Sequence, residues 1–124
     1  MKINFNGYTI KPRHGSNPFY ERNLTIQRNG KSCQHGYRPS QKDRQTKSPE
    51  QIGQDILSDF YQAAYLGSIT YQQYIELMGE YQDSREGHTE YKRAHKGLLR
   101  LDPEGAADAL KQVETRLAQE GIKV

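Results

Sequence analysis

The apolar and the cationic residues of this chain are concentrated at opposite ends. Of its 22 Leu, Ile, Val and Phe residues, sixteen follow residue 48 and six precede it, whereas ten of its 18 Lys and Arg lie within residues 1–48. A core large enough to organise the chain must therefore come from the C-terminal part, and any N-terminal structure has to lean on it. Those 22 residues are about 18% of the 124, a level at which chains commonly stay disordered. Nine tyrosines compensate, since each can bury a ring while its hydroxyl stays hydrated. The length suits a single domain of residues 1–124.

Residues 1–48 carry ten basic side chains against Glu21 and Asp43, a net charge of +8; residues 49–124 carry eight against thirteen acids, a net of −5. The overall +3 thus conceals a dipolar molecule. Eight unbalanced positive charges repel one another, which predicts a polyanionic partner or an acidic protein surface for them to meet. The same composition also fits a solvated basic arm that only keeps the protein soluble. One cysteine, Cys33, cannot form an internal disulfide, and this points to a reducing compartment, the cytoplasm. No secretory leader and no apolar run of membrane-spanning length is present in the sequence, so no membrane partner is expected.

The N-terminal part reads as hairpins. Ile3, Phe5, Tyr8 and Ile10 flank Asn6-Gly7, a dipeptide suited to a type I′ turn because both residues tolerate positive φ. This predicts a hairpin over residues 2–11. After a loop rich in Gly, Asn and Pro, residues 20–28 alternate, with Leu24 and Ile26 on one face and Thr25 and Gln27 on the other. Asn29-Gly30 turns the chain again towards residues 31–35. The expectation is a three- or four-stranded antiparallel meander over residues 1–35, too small to stand alone. Residues 36–47 hold Pro39 among Arg38, Lys42, Arg44 and Lys47 with almost no apolar side chain, and read as a basic linker.

Residues 48–124 read as a bundle of three to four helices. Ser48-Pro49-Glu50-Gln51 combines a capping serine, proline at the first helical position and a glutamine able to complete a capping box. Ile52, Ile56, Phe60 and Ala63 then recur at helical spacing, and Gly67 is read as the left-handed C′ stop. Thr70 and Gln73 offer a second capping box for a helix over residues 71–82, the two helices forming an αα-hairpin. A helix interrupted by Gly87 and Gly97 is expected over residues 83–101. Asp102-Pro103 starts a last helix with Ala106, Leu110, Val113 and Leu117 as its stripe and Gly121-Ile122 as a Schellman ending. That stripe suits packing within the monomer and would also serve as a homodimer seam.

No sequence pattern specifies catalysis, and the expectation is a non-enzymatic protein without cofactor. The 67–82 stretch invites a helix-turn-helix reading, but residues 71–82 contain Glu76 and Glu80 and no Lys or Arg, the wrong charge for a helix among phosphates. His14, Cys33 and His35 lack the paired spacing of a zinc site, and His88 and His95 lie seven apart rather than four, so no metal is expected. The carboxylate pairs Asp55/Asp59 and Glu76/Glu80 read as solvent faces. Basic residues interleaved with aromatics fit phosphate neutralisation with base stacking. The candidate contacts are Lys11, Arg13, Arg22, Arg28, Lys31, Arg38, Lys42 and Arg44, with Tyr20 and Tyr37 as stacking surfaces.

Asn6-Gly7-Tyr8-Thr9-Ile10-Lys11-Pro12 resembles the first hairpin of many small proteins encoded by phages and mobile elements. In size and plan the chain is also similar to anti-CRISPR proteins and other phage anti-defence inhibitors. That resemblance implies a non-enzymatic inhibitor that occludes a nucleoprotein in the host cytoplasm, and it assigns no individual residue. The sequence therefore predicts an α+β protein whose basic meander and linker engage a nucleoprotein, its nucleic-acid-handling surface, or DNA or RNA itself, as a monomer or homodimer.

Overall fold

A computed structural model of the chain describes residues 2–13 and 23–123. Four strands come first: β1 (Ile3–Phe5), β2 (Tyr8–Pro12), β3 (Asn23–Arg28) and β4 (Lys31–Gly36). Five helices follow among the described residues: α1 (Gln41–Thr46), α2 (Pro49–Gly67), α3 (Tyr71–Met78), α4 (Ser84–Leu101) and α5 (Pro103–Gln119). The protein is α+β, an antiparallel meander ahead of a helical region. Its chain divides into two compact units, Met1–Phe60 and Tyr61–Val124, and α2 belongs to both.

In the first unit the strands lie in sequence order, each antiparallel to the next. Both Asn-Gly pairs make the turns expected of them: φ is +51° and +83° at Asn6 and Gly7, and +53° and +77° at Asn29 and Gly30. Positive φ at both central residues gives a twist that matches the flanking strands. Ile3, Tyr8, Ile10, Leu24 and Ile26 are buried from the sheet, and Ile52, Ile56, Leu57 and Phe60 from α2. At Gly53 a Cβ would lie only 2.8 Å from Ile3 Cγ2, so glycine lets β1 approach the helix closely.

Residues 36–47, read from sequence as a linker, contain α1. Ser40 Oγ accepts the Asp43 N–H at 3.0 Å and caps it, Pro39 is buried, and no residue of α1 itself is buried. A six-residue helix without an apolar stripe leaves no periodic trace in the sequence.

The second unit centres on Leu66, Ile69, Tyr74, Val113 and Leu117. Three sequence expectations need correction here. Gly67 is not a left-handed stop; it is the last residue of α2 and is buried, and a Cβ there would stand 1.9 Å from the Tyr91 carbonyl oxygen. Its glycine is required by the close approach of α4. The helix expected over residues 71–82 ends at Met78, because Gly79 takes φ +85°. Leu110 is exposed, and Ala109 takes its place in the buried stripe of α5 with Ala106, Val113 and Leu117. The Schellman ending is as expected: Ile122 N–H donates to Leu117 O at 2.8 Å and Gly121 N–H to Ala118 O at 3.1 Å.

Candidate functional site

Residues paired directly across antiparallel strands share a face, so the register sorts the sheet's side chains. Ile3, Ile10, Ile26 and Cys33 fall on one face together with Pro12, Leu24 and His35. Asn4, Thr9, Lys11, Thr25, Gln27, Ser32 and Gln34 fall on the other. The first face is buried at Ile3, Ile10, Pro12, Leu24 and Ile26, and its far end carries Arg28 opposite Lys31 beside the Asn29-Gly30 turn; the second is polar and contains no carboxylate among the described strand residues.

The expected contact residues divide accordingly. Lys11 lies half-buried on the polar face, beside Thr25. Arg28 lies on the apolar face, where its guanidinium sits 5.0 Å from the Tyr8 ring centroid and Nη1 donates to the Tyr8 hydroxyl at 3.2 Å. Arg44 donates from Nη1 to the Pro39 carbonyl at 3.1 Å, tying α1 to the segment before it. Arg28 and Arg44 thus hold parts of the unit together. Arg13, Lys31, Arg38 and Lys42 are exposed, and none makes an ion pair among the described residues. Arg22 and Tyr20, like Phe19 and His14, lie outside the described residues.

Tyr37 is half-buried, and its hydroxyl is held above the usual phenol range by burial first and then by the charges of Asp55, Asp59 and Asp43. Of these, Asp55 and Asp59 are the pair expected from sequence on a solvent face, and both stay partly exposed. In the structure Asp55 accepts from Lys47 Nζ at 2.7 Å, with Asp43 at 3.7 Å from the same ammonium. The hydrogen bond to Asp55 is the chief reason the Lys47 ammonium is held above its ordinary range. Asp59 lies 2.7 Å from His35 Nε2, and the His35 ring stands edge-on to Phe60 at 5.2 Å between centroids. Both contacts fasten the chain after β3 to α2. Neither was singled out from sequence, because residues 8 and 24 apart in the chain share no local pattern.

Among the described residues no group of three or more His, Cys, Asp or Glu side chains is arranged to hold a metal ion, and no helix is long and apolar enough to cross a membrane. In the second unit His88 is buried, its Nε2 3.1 Å from the Ile69 carbonyl, against the rings of Tyr71 and Tyr74. Burial holds both His88 and His95 below the ordinary imidazole range. A cleft of about 580 Å³ between α2 and α5 is lined in part by Tyr61, Tyr65, Asp102, Asp108 and Arg116. Its Asp102 has structural partners at both oxygens, the Gly105 N–H at 3.0 Å and the Tyr61 hydroxyl at 2.9 Å.

The fold is α+β, and among the described residues exposed cations without a carboxylate partner occur in both units, such as Arg13, Lys31, Arg38 and Lys42 in the first and Lys96, Arg100, Lys111 and Lys123 in the second. Comparison with known protein families, with characterised proteins and with solved structures gave no match.

Proposed function

We propose that this is a non-enzymatic binding protein whose basic N-terminal unit docks on nucleic acid, or on the surface of a nucleoprotein that handles it, and thereby inhibits that nucleoprotein in the manner of anti-CRISPR-type proteins. The observation that carries this reading is the state of the cations. Arg13, Lys31, Arg38 and Lys42 are exposed without a carboxylate partner among the described residues, whereas Lys47 is paired with Asp43 and Asp55. Cations that no intramolecular acid neutralises repel one another, and a polyanion relieves that repulsion while releasing its own condensed counterions. Such docking needs neither cofactor nor metal, and it suits a protein acting in a host cytoplasm.

The test is capture from lysate of the natural host, with and without nuclease, using the wild type and an Arg13/Lys31/Arg38/Lys42→Ala variant as baits. The reading expects nucleic acid or a nucleoprotein on the wild type and its loss from the variant. Retention of the same partners by the variant would overturn it. Nuclease treatment separates the two modes: direct nucleic-acid binding is abolished, and docking on the protein component survives.

A further inference from the structure

We infer that β4 is the seam of a homodimer, in which two copies pair antiparallel through this strand's open edge and join their four-stranded sheets into one. The inference is independent of the proposed function and starts from the register of the hairpin. Around the two-residue turn Asn29-Gly30, Arg28 and Lys31 form the first hydrogen-bonded pair, and such pairs alternate along the ladder. Lys31, Cys33 and His35 therefore direct their backbone groups towards β3, and Ser32, Gln34 and Gly36 direct theirs outwards. Ser32, Gln34 and Gly36 are all exposed. Glycine has no side chain, so at Gly36 it is the backbone itself that meets solvent. Among the described residues, none makes a backbone hydrogen bond to the outer side of these three.

An edge left in this state is an invitation to pair, and proteins normally blunt it by shortness, proline, a bulge or a charge in mid-strand. β1, at the other edge of the sheet, has only three residues. β4 has six, with no Pro, Asp or Glu, and its register with β3 runs unbroken from Lys31 to Gly36. Its one lysine stands at the end, beside the turn. The occupant that fits is a second copy, because the edge is complementary to itself. Outward-directed residues must meet outward-directed residues, so a twofold axis at Gln34 sets Gln34 opposite its own counterpart and Ser32 opposite Gly36 of the second copy. In that register every outward N–H and C=O of the three residues finds a partner, and no two like charges stand face to face. The two Lys31 backbones lie six residues apart along the seam, about 20 Å, well beyond the screening length of about 8 Å in physiological salt. The stripe of α5, which by sequence would also serve as a dimer seam, is taken up inside the monomer, where Ala106, Ala109, Val113 and Leu117 are all buried.

The test is sedimentation velocity over a range of protein concentrations, with circular dichroism to check the fold of each variant. The wild type is expected to pass from monomer to dimer as concentration rises. Gln34→Pro removes one outward N–H from each copy and none from the ladder with β3, and it should weaken association about thirtyfold. Gln34→Lys and Gln34→Glu alter only an exposed side chain and set like charges across the axis. Each should weaken self-association about fivefold, and an equimolar mixture of the two should restore it. If Gln34→Pro fails to fold, the charge variants and their mixture decide alone. A wild type that stays monomeric at every concentration, or a dimer that both charge variants leave unchanged, would overturn the inference.

Discussion

Gly67 and Tyr91 meet at a point where a side chain has no room. A methyl group at residue 67 would lie 1.9 Å from a backbone oxygen, and backbone cannot swing aside as a flexible side chain can. Gly67→Ala is expected to destabilise the fold by about 3 kcal/mol, measurable as a lowered urea midpoint; an unchanged midpoint would show that α2 and α4 separate freely. The His35–Asp59 contact makes a smaller claim. Asp59 is 46% exposed, so solvent screens the pair, and Asp59→Ala is expected to cost about 1 kcal/mol. A double-mutant cycle with His35→Ala should show coupling, and strict additivity would mean the contact does not stabilise. Neither role could be read from sequence. Glycine after a helical stripe has the same appearance whether it takes positive φ or makes room for a neighbour, and only packing decides between them. The turn glycines were legible because Asn-Gly specifies its own geometry. The polar face was partly legible too: alternation separates Thr25 and Gln27 from Leu24 and Ile26, but only the register adds Ser32, Gln34 and Lys11 to that face.

At the scale of elements, the sharpest boundaries are those with chemical caps. Ser48 and Gln51 exchange backbone bonds, with Ser48 N–H to Gln51 Oε1 at 2.9 Å and Gln51 N–H to Ser48 Oγ at 3.2 Å. Ser48→Ala is expected to lower stability by about 1 kcal/mol, read as a fall in melting temperature, and no change would mean that packing alone fixes the helix start. Thr70 and Gln73 repeat the device at α3. α1 escaped the sequence reading because it buries nothing, and residues 71–82 were overextended because Tyr81 continues the helical spacing after Gly79 has turned the chain. In α4, the two histidines give a pH dependence of definite sign. Their pKa values are lowered in the fold, so as pH falls the unfolded chain takes up protons first and the native state loses stability. The melting temperature should therefore decline from about pH 7.5 to pH 5.5, and His95→Leu should shallow that decline. A slope unchanged by the substitution would exclude His95 as a contributor.

For the whole molecule, the cations of the first unit divide into those the fold engages and those it leaves exposed. Arg28 and Arg44 are engaged with Tyr8 and Pro39, Lys47 with two carboxylates, Lys11 is half-buried, and Arg13, Lys31, Arg38 and Lys42 face solvent. Total charge and its location are separable, because Lys96, Arg100, Lys111 and Lys123 of the second unit are also exposed. Two variants each lose four positive charges: Arg13/Lys31/Arg38/Lys42→Ala in the first unit and Lys96/Arg100/Lys111/Lys123→Ala in the second. The deciding measurement is how much partner each retains from host lysate at matched salt, relative to wild type. Docking through the N-terminal unit predicts that the first variant loses the partner and the second keeps it; equal losses, or loss confined to the second, would contradict it.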